Sequence, residues 1–156
     1  MRHEFRGNTK DTYLYRGASI DWVSDGFKDV FWMHSFLNMV YWRGMTDAYT
    51  KTQNAAFFRE LRAQLISYHE SMYPFDQDPR SKHDQIIHPF AISIRLETYV
   101  QSKFLERFIH DPAFDAKTLA YFLNALYVNM EFMRDHFSGE GNHLLYELSR
   151  TLQYGL

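Results

Sequence analysis

Apolar residues recur along most of the chain at intervals of three and four positions, the spacing of one face of an α-helix. Loops rich in glycine, proline and small polar residues divide this spacing into five predicted helices. These helices span about Phe27 to Arg43, Asn54 to Met72, Pro89 to Phe108, Asp115 to His136, and Asn142 to the last residue. Because every regular stretch has helical spacing and the connections are short, the pattern predicts an all-α fold of antiparallel neighbouring helices.

Two stretches lack the helical spacing. Residues 1–26 carry turn residues, among them Gly7-Asn8 and Ser24-Asp25-Gly26, and are predicted to form an irregular N-terminal arm or linker. The polar stretch from Asp76 to His88 is predicted to be a flexible insertion between the second and third helices. We therefore expect an arm over residues 1–26 and a helical domain over residues 27–156, with Gly44 ending the first helix.

The composition fits one globular domain and excludes several classes of function. The 156 residues include 46% hydrophobic ones, which is enough for a sizeable core. A net charge of −2 gives no sign of a nucleic-acid footprint. The sequence shows no apolar run of about 18 residues and no signal-peptide pattern after Met1. We expect neither a nucleic-acid partner nor a membrane partner.

The sequence also argues against a metal site. It contains no cysteine, which rules out disulfides and thiolate ligands. His83 and His88 share one polar stretch, but no paired acidic residues accompany them. We therefore predict no metal and no other cofactor. The aromatic share of 18% is high, and part of it is expected in the core and part on a surface that stacks against sugar rings.

The most informative stretch begins at the fifth helix. Gly139 and Gly141 interrupt the helical pattern, and Asn142 and His143 follow where that helix is predicted to start, with Asn142 as its N-cap. A helix start favours anionic groups, so an amide and an imidazole held there can grip a carboxylate and move a proton. From spacing alone, a plain capped loop is the simpler interpretation.

Other candidates also have two interpretations. Trp32 and His34 interrupt the stripe of the first helix, which is either buried on most sides or lines a carbohydrate cleft. Arg95 lies in an apolar stretch, where it forms either a structural ion pair or a planar contact with an acidic sugar. Glu147 lies four residues after His143, where it either orients the imidazole or forms an ordinary pair on the helix surface, for instance with Arg150.

Three segments, taken in order, resemble heparinase II/III-type polysaccharide lyases, and in particular their heparan sulfate lyase branch. The segments are Asp21-Trp22 with Trp32 and His34, then His88 to Glu97, then Gly141 to Glu147 followed by Arg150 and Tyr154-Gly155. The resemblance covers nearly the whole chain but only the middle of that family's helical domain. It implies an incomplete α/α toroid, an arc of antiparallel helical hairpins.

The resemblance implies β-elimination on polysaccharides that contain uronic acid, either heparan sulfate and heparin-like chains or alginate. Asn142 stands where the family's asparagine neutralises the uronate carboxylate, and His143 is expected to assist. The substrate-binding residues that the resemblance implies are Arg95, Trp32, His34, His88 and Glu147. The family's tyrosine acid and second histidine come from later segments, so the isolated chain is expected to be inactive.

The expected partners are an acidic polysaccharide substrate and the C-terminal β-sandwich domain of a longer parent chain, with a periplasmic or secreted location. The last helix reaches Leu156 with no capping residue, which indicates truncation. The alternative function is a non-catalytic helical-repeat module that binds acidic glycans or a protein partner.

Overall fold

The computed structural model describes Ile20, Trp22, residues 36–72 and residues 88–154. All regular secondary structure in this part of the chain is helical, which confirms the predicted all-α class. The helices are α1 (Trp42–Thr52), α2 (Ala55–Met72), α3 (Pro89–Gln101), α4 (Phe104–Phe108), α5 (Ala116–Asp135) and α6 (Gly141–Tyr154). Most of the predicted arm, the body of the predicted insertion, and both Trp32 and His34 lie outside the described residues.

Local capping chemistry explains the helix starts that the sequence predicted well. The Asn54 side chain accepts a hydrogen bond from the backbone N–H of Ala56 (3.0 Å) at the start of α2. The Asp115 side chain accepts one from the N–H of Thr118 (2.8 Å) at the start of α5. These bonds satisfy amides that have no partner within the helix, so both starts are encoded within a few residues.

Two predicted helix boundaries are wrong, and a left-handed residue lies near each. Gly44 does not end a helix but lies inside α1, and the backbone turns earlier, at Met39 (φ 55°). A glycine inside a helix costs only about 1 kcal/mol, which the burial of Trp42 beside it offsets. The predicted third helix is divided by Lys103 (φ 52°) into α3 and α4. Its apolar spacing continues through the kink, so periodicity alone does not reveal it.

Aromatic rings fill the core between α1, α2, α4 and α5. Phe104 stacks on Phe122 of α5 with ring centroids 4.7 Å apart, and Phe108 stacks on Phe58 of α2 at 4.6 Å. The indole N–H of buried Trp42 donates to Gln64 Oε1 (3.0 Å), so its polar atom is satisfied. Much of the high aromatic content therefore serves packing, as the sequence led us to expect.

The last helix packs on α3 and leaves an apolar stripe uncovered. Leu145 is 71% exposed and Leu152 is 78% exposed, and Leu148 lies between them on the same face. The opposite face of α6 meets α3, which brings the Asn142–His143 stretch beside the N-terminal end of α3.

Candidate functional site between α3 and α6

The contact between α3 and α6 brings together several aromatic, charged and potentially reactive side chains. His143, Tyr146 and Arg150 follow one another at intervals of three and four, so they share one face of α6. Phe90 and Glu97 of α3 lie against that face. We call these five residues the α3–α6 seam.

An aromatic stack holds His143 at one end of the seam. Its ring lies 4.2 Å from the Phe90 ring at an interplanar angle of 11°, and it meets the His88 ring edge-on at 5.8 Å. His88 Nδ1 accepts a hydrogen bond from the Phe90 N–H (3.2 Å), so His88 caps α3. The His143 side chain stays exposed, and its imidazole is therefore oriented by packing while solvent and ligand can reach it.

Asn142 is exposed beside it, but its place in the helix differs from the prediction. Helix α6 begins at Gly141, whose φ of 82° suits a residue without a Cβ, so Asn142 lies in the first turn and is not the cap. Adjacent residues on a helix point in different directions. Asn142 and His143 can therefore touch different atoms of one ligand, although they do not face each other.

Glu147 is buried and is directed to the loop before α6. One carboxylate oxygen accepts from the Ser138 N–H (2.8 Å) and the other from the Ser138 hydroxyl (2.7 Å). Neither interpretation that the sequence allowed describes this arrangement, because Glu147 is paired neither with His143 nor on the helix surface. Its position indicates that it holds the loop that leads into Asn142.

Arg95 lies inside the helical bundle. It is fully buried, Nε donates to the Leu37 carbonyl (2.8 Å), and Nη1 donates to Asn129 Oδ1 (3.1 Å). Its guanidinium also lies 4.8 Å from the centre of the Tyr68 ring. A contact between Arg95 and a sugar would require it to leave these partners.

Sequence reasoning missed the polar centre of the seam. Glu97 Oε2 accepts from the Tyr146 hydroxyl, and Oε1 accepts from Gln101 (2.6 Å) and pairs with Arg150 (2.9 Å). Burial, followed by the hydrogen bond to Glu97, raises the pKa of Tyr146 above its ordinary value. The signal that could have revealed this centre is the spacing of His143, Tyr146 and Arg150 on one face.

Other features of the described residues give no stronger candidate for the functional site than the α3–α6 seam. No three or more of their histidine and acidic side chains group as metal ligands. No helix among them is long and apolar enough to cross a membrane. A cavity of about 520 Å³ lies between the end of α1 and the turn after α4, lined in part by Arg107, His110 and Asp111, and it contains none of the residues predicted for the site.

The packed helices and the polar, aromatic seam between α3 and α6 define an all-α protein with an exposed amide and imidazole at the start of one helix. The chain belongs to the heparinase II/III family, since the family model described as Heparinase II/III N-terminus matches residues 1–156, which is the whole sequence.

Similarity to characterised proteins agrees with the family. The chain is 25% identical to the heparin-sulfate lyase of Pedobacter heparinus over 156 residues, which are 99% of this chain and 23% of that protein. A crystal structure of a mutant heparan sulfate lyase HepC from Pedobacter heparinus matches with a TM-score of 0.85 at 24% identity, covering 98% of this chain and 23% of that one. The structure of the heparinase III-BT4657 gene product matches with a TM-score of 0.80 at 21% identity, covering 99% of this chain and 26% of that one.

The chain therefore spans about a quarter of the length of these relatives. The structural likenesses establish its fold.

Proposed function

We propose that this chain is a helical segment of a polysaccharide lyase that cleaves acidic, uronic-acid-containing chains by β-elimination. The observation that carries the proposal is the exposed Asn142–His143 pair at the start of α6, in a chain that the family matches throughout. The names of the relatives support heparan sulfate or heparin-like chains as the substrate. Alginate, which only the sequence resemblance allows, is the second candidate.

The chemistry requires that a weakly acidic C–H bond be broken. A base takes the proton from the carbon beside the uronate carboxylate, the electron pair forms a C=C bond, and the glycosidic oxygen leaves and takes up a proton. Negative charge accumulates on the carboxylate oxygens as the proton departs, so donors aimed at those oxygens lower the barrier. The amide of Asn142 supplies such a donor in this proposal.

His143 is the second group in the mechanism. An imidazole has two ring nitrogens that can donate or accept, so it can either hydrogen-bond the uronate carboxylate or accept the proton taken from the sugar. Its stack on Phe90 restrains the ring and limits the reorganisation that the reaction would otherwise demand. The acid that protonates the leaving oxygen is proposed to come from later segments of a parent chain.

The exposed apolar face of α6 is consistent with a partial α/α toroid to which further helices are added. Leu145, Leu148 and Leu152 form one apolar stripe, which is what a neighbouring hairpin of an α/α toroid would cover. We propose that such hairpins and a C-terminal β-sandwich complete the enzyme, which is exported to the periplasm or secreted.

The test uses a parent protein extended through the downstream segments. It is incubated with heparan sulfate and with alginate, and the unsaturated product is followed by ultraviolet absorbance. Asn142→Ala is expected to lower kcat by about a hundredfold or more, the usual effect of removing one such donor. Asn124→Ala, which removes an amide of α5 whose contact is with the His69 ring of α2 (2.6 Å) and not with the α3–α6 seam, is the control and should keep kcat.

Two outcomes would overturn the proposal. If the extended protein releases no unsaturated product from any uronic-acid polymer, the chain does not belong to a working lyase. If Asn142→Ala retains the activity of the control variant, the pair at the start of α6 is not the catalytic feature.

A further inference from the structure

The loop that joins α5 to α6 is packed at its beginning and open at its end. The His136 ring stacks on the Phe132 ring of α5 with centroids 4.2 Å apart, and Phe137 packs against the core. Beyond the adjoining backbone, no described atom lies within 4 Å of the place where a Cβ of Gly139 or Gly141 would stand. Glycine also restricts the backbone least of all residues. Packing within the second half of the loop therefore does not define where α6 begins.

Ser138 lies between these two halves, and Glu147 of α6 binds both of its donors. The Glu147 carboxylate accepts the Ser138 backbone N–H at 2.8 Å and the hydroxyl at 2.7 Å, and the side chain is fully buried. Hydrogen bonds to a charged group are stronger than neutral ones, and water does not compete with them in a buried place. These two bonds therefore join the second turn of α6 to the packed half of the loop and close the stretch 138–147 on itself.

Asn142 lies within this closed stretch. Among the described residues its side chain makes no hydrogen bond or ion pair, and it is exposed, so the place of its amide follows the backbone of the first turn of α6. On another side of α6, the stack of His143 on Phe90 holds the helix against α3. The contact with α3 and the bonds from Glu147 to Ser138 thus restrain the first turn from two directions.

The carboxylate of Glu147 is better suited to hold the loop than to bind the substrate. The proposed substrate carries uronate groups, whose negative charge Glu147 would repel. Both carboxylate oxygens are already occupied by Ser138, and the side chain has no exposed surface. The surroundings of Glu147 therefore favour a role within the protein over direct contact with the sugar.

We propose that Glu147 is a positioning residue for the β-elimination. Through Ser138 it fixes the entry of the chain into α6, and thereby the place of the Asn142 amide against the uronate carboxylate. A misplacement of about 1 Å in a group that acts on the transition state lowers the rate about a hundredfold, so such an anchor matters for catalysis. The inference rests on the proposed function, since it takes Asn142 as the donor that stabilises the developing charge.

The test compares kcat and KM of variants of the extended protein, with heparan sulfate as the substrate and product release followed by ultraviolet absorbance. Glu147→Ala is expected to lower kcat by about tenfold or more and to change KM little, because the substrate loses no contact. Ser138→Ala removes the hydroxyl bond and keeps the backbone bond, so its loss of kcat should be smaller. Glu147→Gln retains an acceptor oxygen of the same reach and is expected to recover part of the rate.

Asp115→Ala is the control for a loss of stability alone. Asp115 caps the start of α5, at the opposite end of this helix from the loop, and its substitution removes the bond to the Thr118 amide (2.8 Å). We expect this variant to melt at a lower temperature and to keep kcat, when all rates are measured well below the melting temperatures. A loss of kcat in Glu147→Ala or Ser138→Ala beyond that of the control therefore reports the position of the catalytic amide.

A double variant shows whether Glu147 acts through Asn142. If its effect on the rate is to place the amide, Glu147→Ala should reduce kcat little further once Asn142 has already been replaced by alanine. A residue that only supports the fold would lower kcat by the same factor in both backgrounds.

Two results would overturn the inference. One is that Glu147→Ala and Ser138→Ala both keep the kcat of Asp115→Ala, and the other is that the losses of Glu147→Ala and Asn142→Ala multiply in the double variant. Should Glu147→Ala not fold, Ser138→Ala combined with Asn142→Ala provides the same comparison. The lyase proposal stands in either case as long as Asn142→Ala by itself lowers kcat, so the two failures are distinguishable.

Discussion

Replacing Arg95 with alanine tests whether this residue holds the core or contacts the substrate. In the structure, the guanidinium links three parts of the chain, because it bonds the Leu37 carbonyl, Asn129 of α5 and the face of Tyr68 of α2. The substitution removes the donors, leaves the two acceptors buried, and opens a cavity. All three effects lower the free energy of unfolding.

The size of the effect follows from the complete burial of the side chain. Each buried acceptor left without its donor typically costs about 1–3 kcal/mol, and the cavity adds to this loss. For a chain of this length, each kcal/mol lowers Tm by about 2–4 °C, so Arg95→Ala should melt roughly 10 °C below the wild type. Arg59→Ala removes an exposed arginine from α2 and should change stability by less than about 0.5 kcal/mol.

Two measurements on the same variants decide the question. Thermal unfolding is followed by circular dichroism, and binding of an acidic oligosaccharide is measured by calorimetry well below the melting temperature. We expect the large drop in Tm for Arg95→Ala and little loss of affinity in the fraction that remains folded. A variant that melts with the Arg59→Ala control and yet fails to bind would refute the internal placement and make Arg95 a substrate contact.

Two further predictions concern the loop before α6 and the start of α5. Glu147→Ala should speed hydrogen exchange at the Ser138 amide by at least tenfold, since the bond that protects that amide is lost; unchanged exchange would show that Glu147 does not hold the loop. Hydrogen bonds from Thr118, followed by that from Arg62, hold the pKa of Asp115 below its ordinary value. The stabilisation is therefore present above the ordinary carboxyl pKa and is lost as the pH falls through the lower folded value. Melting curves of Asp115→Asn should show a smaller loss of Tm on acidification than the wild type, and parallel losses would contradict the assignment.

How far the sequence predicted the fold depends on how local each signal is. Asn54 and Asp115 mark the starts of their helices, because the side chain of each accepts a hydrogen bond from an amide only two or three residues away. The turn at Met39 and the kink at Lys103 have no such local marker, since neither residue is a glycine. Apart from glycine, a residue adopts a positive φ only when packing elsewhere favours it, and that packing involves distant residues.

The same distinction applies to the site. Asn142 and His143 were identified because a short motif between two helical patterns marks them. Glu97 and Arg43 could not be recognised in this way, because their significance depends on which helix lies against which. Arg43 and Glu97 are more than fifty positions apart in the sequence, and nothing in either segment indicates that their side chains lie close together.

Arg95 and Arg43 show why residue type alone could not separate structure from function. Both are arginines within helices. Arg95 was singled out because it lies in an apolar stretch, and the resemblance favoured a role in substrate binding. The apolar neighbours in fact mark a buried side chain whose donors are used by Leu37 and Asn129. Arg43, in contrast, is partly exposed and lies 3.7 Å from Glu97 of another helix, which nothing in its own segment indicates. Only the packing of the helices therefore shows which of the two arginines the core encloses and which one solvent reaches.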